Sequence, residues 1–262
     1  MLAGAFAPYV YPLHFGIDLI GGDILELKTN VPAADIQSLV GVPVISTRDS
    51  LMMKGAKLDR AGIIAAVRQR DPQAEVLRFE AISPALSGEL RKKAVTAIVL
   101  VLLGIGCYVA FAFRQRAGMV SGWLLGLVVI LTLFHDVVAS FGIFTVLAHF
   151  LQLDFDILVI SGFLVIAGFS VHDTIVVFDR LRERMGQAKN LSPELFNASV
   201  TETMARSINT SLTAVLSVIP LVILLPHLHS FLLPLLFGII TGTYSSIAIA
   251  VPLVYDFSRG RK

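Results

Sequence analysis

The chain has 262 residues, of which 55% are hydrophobic and 15% charged, with a mean hydropathy of +0.79. Soluble domains carry about 25% charged residues, so this chain has too few to coat a globular surface, which argues against a soluble enzyme. The formal net charge of +2 comes without a basic stripe that would suggest nucleic acid, and a single cysteine, Cys107, excludes both a disulfide framework and a thiolate metal centre.

The charge is segregated. Residues 14–93 have the composition of a small soluble domain, residues 94–255 that of apolar spans, and residues 256–262 form a basic tail. The opening stretch, residues 1–13, is apolar but contains Pro8 and Pro12. It is shorter than the about 20 residues that cross a bilayer, and without a basic leading segment it does not read as a signal peptide. It is expected to be the remnant of a first span.

Residues 14–93 alternate strand and helix signals. Phe15 to Leu27 is strand-like around Gly21-Gly22, and Pro32 opens a helix over Ala33 to Val40. Strands at Val42–Thr47 and Leu51–Lys54 flank a turn at Arg48-Asp49-Ser50. Asp59 suits the N-cap of a helix over Arg60 to Arg70, which Pro72 ends before a last strand, Ala74 to Ile82. The order β-α-β-β-α-β is the split βαβ, ferredoxin-like pattern. Five full spans follow: Ala94–Phe113, Ser121–Ala148, Asp156–Phe178, Met204–Leu225 and Phe231–Tyr255. Ser192 and Pro193 offer an N-cap and an N1 proline before the fourth. The expected fold is an α-helical polytopic membrane protein with one small α+β domain.

Orientation follows from the short loops. Arg114 and Arg116, then Arg180, Arg182, Arg184 and Lys189, then Arg259, Arg261 and Lys262 share one side, whereas the opposing turns at 151–153 and 226–230 hold no Lys or Arg. The positive-inside rule places the first set in the cytoplasm and the 14–93 domain outside, because a long domain translocates despite Arg91, Lys92 and Lys93 beside it.

Ionisable residues inside spans are costly, about +2.5 to +3.5 kcal/mol for Asp or Arg at a helix centre, and such positions face a partner or a water path. Asp136, Asp173 and Arg206 are the candidates here. Asp173 and Arg206 lie at comparable depth in the cytoplasmic half of their spans, so neighbouring helices could pair them. Three polar seams follow helical spacing: Thr132, Asp136 and Ser140; Gly162, Ile166, Ser170 and Asp173; and Arg206, Thr210, Thr213 and Ser217. The residues alone leave two readings open, an interhelical polar tie or an ion pathway. Gly122-x-x-x-Gly126 and Gly238-x-x-x-Gly242 are small-residue packing motifs. No P-loop, H-E-x-x-H or G-x-S-x-G is present, and the six histidines, His227 and His229 among them, have no metal-ligand spacing. No cofactor or metal is expected.

The segment Gly168-Phe169-Ser170-Val171-His172-Asp173-Thr174-Ile175-Val176-Val177-Phe178-Asp179-Arg180-Leu181-Arg182-Glu183 resembles the signature of the SecF branch of the SecD/SecF protein-export family. So do Ala205 to Thr213, Phe15-Gly16-Ile17-Asp18 with Gly21-Gly22, Gly88 to Arg91, His135-Asp136-Val137 and Gly242 to Ser246. The resemblance implies membership of the resistance-nodulation-division (RND) superfamily and a SecDF complex with SecD. It implies use of the proton motive force, or sodium in some relatives, to help exported unfolded polypeptides leave the SecYEG channel on the SecA pathway of a prokaryotic cytoplasmic membrane. The family's essential carboxylate and arginine fall on Asp173 and Arg206. Ser170, Thr210, Thr213, Asp136 and His172 become secondary candidates, with His172 and Phe169 standing where the family usually has Asn and Tyr. The family has six spans where five full ones are read here. The competing readings are an RND-type small-molecule or lipid exporter, and a passive assembly scaffold.

Overall fold

The computed structural model describes residues 2–42, 44–46, 50–113, 120–188 and 190–259. It divides into two compact units, residues 15–94 and residues 1–14 with 95–262. The turn expected at Arg48-Asp49-Ser50 and the basic residues Arg114, Arg116, Lys189, Arg261 and Lys262 fall wholly or partly outside the described residues.

In the 15–94 unit, β1 (Gly22–Lys28), β2 (Val44–Ser46), β3 (Leu51–Gly55) and β4 (Glu75–Ile82) form an antiparallel sheet in the order β2-β3-β1-β4. With α3 (Ala33–Val40) and α4 (Arg60–Arg70) between them, this is the ferredoxin-like arrangement. Strand alternation sets the core. Leu25 lies opposite Met53 and Leu27 opposite Leu51, and all four are buried in one cluster with Ile36, Ile63 and Val67. Each such side chain contributes about 1.5–3 kcal/mol relative to exposure. Asp59 caps α4 by accepting from Gly62 N at 3.1 Å. Asp71, just past its end, accepts from Thr29 Oγ1 at 2.8 Å and Asn30 N at 2.9 Å.

The stretch from Phe15 to Leu27 is not one strand. Ile17–Ile20 makes a helical turn, α2, and β1 starts only at Gly22. The break has a backbone cause: Gly21 and Gly22 have φ of +82° and +135°, which side-chain-bearing residues rarely adopt. A Cβ on Gly22 would also stand 2.7 Å from the Gly55 carbonyl oxygen.

In the other unit α1 is Leu2–Val10, not a full span, and Tyr11 just beyond it stacks on His149 at 5.2 Å between ring centroids. Among the described residues, five helical stretches are long and apolar enough to cross a membrane: α5 (Pro84–Ala112, from residue 95 in this unit), α6 (Gly122–Leu151), α7 (Ile157–Gln187), α8 (Pro193–Leu224) and residues 226–259. The chain is thus a multi-pass membrane protein. Its last span is not one regular helix: α9 (His229–Ser245) passes through a π-helical segment, Ser246–Ala250, into α10 (Val251–Arg259).

In their most apolar stretches α6, α7 and the last span are each 44% buried, against 11% for α5 and 17% for α8. The first three therefore form the centre of the bundle, and α5 and α8 keep broad outer faces. Cys107 lies exposed on α5. Ser121 and Asp156 cap α6 and α7 through Leu124 N and Val159 N. Ser192 precedes Pro193 at the N1 position but makes no side-chain cap bond. His229 Nε2 donates to the Val222 carbonyl at 2.8 Å, so this histidine ties the turn after α8 to the end of that helix.

Candidate ion-coupling site in the helix bundle

Two carboxylates sit inside the bundle on neighbouring helices. Asp136 of α6 is fully buried, as are Thr132 and Ser140 of its seam. Its Oδ2 accepts from Ser170 Oγ of α7 at 2.5 Å and from Ser245 Oγ of α9 at 2.7 Å, and its Oδ1 is 3.0 Å from His135 Nδ1. Ser140 Oγ meets Thr241 Oγ1 of α9 at 3.0 Å. The α6 seam is therefore satisfied by helices on two sides.

Asp173 of α7 is 2% exposed, on the same buried face as Gly162, Ile166 and Ser170. The hydroxyls of Ser207, Thr243 and Ser211 are close enough to act on its charge, yet among the described residues Oδ2 makes no hydrogen bond, and neither does the buried Ser207 Oγ. Ser211 and Thr243 hydrogen-bond to each other across α8 and α9. A buried carboxylate oxygen without a donor is costly to keep charged.

The small-residue motifs make this closeness possible. A Cβ on Gly242 would stand 3.0 Å from Ser170 Cβ, and one on Gly238 would overlap Ile166, so α9 meets α7 at van der Waals contact. Gly126 faces Ala110 in the same way across α6 and α5.

Arg206 is not paired with Asp173. It lies on the exposed face of α8 and, among the described residues, makes no ion pair. Thr210, Thr213 and Ser217 continue that outward stripe. The buried stripe of α8 is instead Ser199, Thr203, Ser207 and Ser211, a second polar row at i, i+4 spacing that was equally legible in the sequence. Arg206 borders an open cleft of about 300 Å³ with Val176, Asp179, Arg180, Glu183, Glu202 and Thr203. There Arg180 pairs with Glu202 and Glu183, and Arg184 with Glu202. His172 points away from the interior and is exposed.

The match to known proteins follows the same helices. Residues 63–260 fit the family model of the protein export membrane protein SecD/SecF, C-terminal region. The chain belongs to the SecD/SecF protein-export family. Among relatives of this family, the protein translocase subunit SecF of Desulfurispirillum indicum is 33% identical over 93% of this chain and 82% of its own length. The SecF subunit of Thermobaculum terrenum is 31% identical over 94% and 85%. The crystal structure of SecDF, a translocon-associated membrane protein from Thermus thermophilus, superposes with a TM-score of 0.83 at 31% identity. That alignment covers 98% of this chain and 37% of the SecDF chain, so this SecD/SecF member spans about a third of that structure.

Proposed function

We propose that the chain is a SecF-type subunit that works with a SecD-type partner in Sec-dependent protein translocation, driven by ion movement through Asp173. The observation that carries this reading is a buried carboxylate on α7 with an oxygen that has no hydrogen-bond partner among the described residues, while Arg206 on the outer face of the adjacent α8 makes no ion pair among those residues. A fixed salt bridge needs the pair closed within one fold, and here it is open. A site that alternates needs a free acceptor inside and a counter-charge that engages only in part of the cycle. Protonation of Asp173 neutralises the buried anion and frees α7 and α8 to shift. Each proton driven through supplies about 2.3 kcal/mol per 100 mV of membrane potential.

Arg206, Thr210, Thr213 and Ser217 lie on the sparsely buried α8, and an arginine at this depth belongs against an anionic partner, not hydrocarbon. The SecD-type half of the SecDF relatives is the natural occupant, with the SecYEG channel, the SecA pathway and the emerging unfolded polypeptide as further partners. The basic cluster Arg180, Arg182 and Arg184 supports a cytoplasmic position for that end of α7 by the positive-inside rule, in keeping with the 15–94 unit outside and the C-terminus inside a prokaryotic cytoplasmic membrane. The family work is transport with a proton, or sodium, as the coupling ion and no cofactor.

The test is Asp173→Asn in the complex reconstituted with its SecD-type partner. Assembly is expected to be normal, with export driven by the proton motive force and export-stimulated ion conductance lost. Normal conductance and export in this variant would overturn the reading and leave a passive scaffold.

A further inference from the structure

Asp136 plays no part in the mechanism above, yet it is the most deeply buried ionisable group described in the bundle, with 0% exposure. Neutral hydroxyls would tie α6, α7 and α9 together without a carboxyl group, as Ser140 and Thr241 do one turn away. What distinguishes the Asp136 site is that its partners can satisfy it in both protonation states. A hydroxyl donates one hydrogen bond and accepts others. When Asp136 is ionised, Ser170 and Ser245 both donate to Oδ2. When it is protonated, its own O–H donates to a serine oxygen. Ser245 then turns its proton to the Gly242 carbonyl, which already lies 3.1 Å away. One proton binds, one carboxyl O–H forms, and no buried group is left unpaired.

The site is also joined to Asp173 by two helices. On α7, Ser170 holds Asp136 and lies three residues before Asp173 on the same buried face. On α9, Ser245 bonds to Asp136, while Thr243 lies beside Asp173 and bonds to Ser211 of α8. Ser245 immediately precedes the π segment Ser246–Ala250, a backbone form that occurs often at functional sites. The titratable and charged groups near Asp136 are few. Its own helix brings His135 and α7 brings Asp173, while α9 and the π segment present Thr241, Ser245 and Ser246.

We propose that Asp136 is a second proton-binding carboxylate of the bundle, whose occupancy is coupled to that of Asp173 through Ser170, Ser245 and Thr243. This rests on Asp173 being an ion-coupling site, and the test separates the two. The measurement is infrared difference spectroscopy of the reconstituted complex with its SecD-type partner between neutral and acidic pH, read in the carboxylic-acid C=O band. Wild type is expected to show two protonating carboxyls. Asp136→Asn should remove one band and shift the midpoint of the other, and Asp173→Asn should remove the other. Ser170→Ala and Ser245→Ala keep the carboxyl and should each move the Asp136 midpoint by about one pH unit, the scale of a hydrogen bond to a charged group. A spectrum of Asp136→Asn identical to wild type would refute the proposal, as would unchanged midpoints in both serine variants. The serine variants decide the matter if Asp136→Asn fails to assemble. Survival of all bands in Asp173→Asn would refute the earlier reading and with it the coupling, whereas loss of the Asp173 band with an unchanged Asp136→Asn spectrum would refute only the present proposal.

Discussion

Ser170 and Asp136 join α7 to α6 through a 2.5 Å hydrogen bond, and the same turn of α7 carries Asp173, one oxygen of which has no hydrogen-bond partner among the described residues. One helix thus presents a saturated carboxylate site and an unsaturated one within a single turn. Any motion of α7 that improves the second must be tolerated by the first.

The Gly242 contact governs that spacing. Gly242→Ala places a methyl group 3.0 Å from Ser170 Cβ and 3.3 Å from its Cα, so α7 must move away and Ser170 is drawn off Asp136. Overpacking of this kind costs about 1–3 kcal/mol, which exceeds the about 1 kcal/mol gained by replacing a helical glycine. Thermal unfolding of the purified complex should show Gly242→Ala less stable than wild type. Gly168→Ala, where a Cβ meets nothing within 4 Å, should be neutral or slightly stabilising. Equal behaviour of the two would mean that the α7–α9 contact is looser than described.

Arg206 should matter to the assembly and little to the chain alone. Because it makes no ion pair among the described residues, Arg206→Met should change the stability of the isolated subunit in detergent by no more than about 0.5 kcal/mol. In the complex the same variant should reduce export driven by the proton motive force and weaken co-purification with the SecD-type partner. A loss of about 3–5 kcal/mol in the isolated subunit, the size expected for breaking a buried pair, would assign Arg206 to a structural bridge instead.

Topology can be read with thiol reagents. Cys107 is exposed on α5 and must first be replaced by Ser. A cysteine at Gly186, where the backbone has open space around it, should react with an impermeant reagent only from the cytoplasmic side. One at Lys57 should react only from outside. The reverse labelling pattern would invert the orientation drawn from the arginine-rich end of α7.

Asp71 sets the acid limit of the sheet unit. Hydrogen bonds from the Asn30 backbone, then the Thr29 hydroxyl, hold its carboxyl below the ordinary value of 3.8. A carboxyl with a depressed folded pKa contributes stability that is complete above its unfolded value and disappears as pH falls through the folded one. Protection of the Asn30 and Val31 amides against hydrogen exchange should therefore hold down to about pH 4 and fall below it. Asp71→Asn should reduce protection at neutral pH and flatten this acid dependence. An unchanged acid profile would show that the contact does not set the limit.

The sequence by itself determined the elements. Apolar runs of about 20 residues mark helices that satisfy their own backbone groups in lipid, and the five spans lie where those runs do. Cap and proline signals placed Ala33–Val40 and Arg60–Arg70 at their observed limits, and β-α-β-β-α-β order pointed to the sheet topology found. The buried faces of α6 and α7 were legible because each carries one polar row in an apolar helix. Only the tertiary structure decided α8, where Arg206-Thr210-Thr213-Ser217 and Ser199-Thr203-Ser207-Ser211 are two polar rows of similar spacing. Periodicity identifies a face but not what it meets. Hydropathy cannot choose between them in a membrane, where inside and outside are both apolar. The choice falls to the neighbours: Thr243 of α9 and Asp173 of α7 occupy the Ser207–Ser211 side, which turns Arg206 outward and leaves Asp173 without its expected counter-ion.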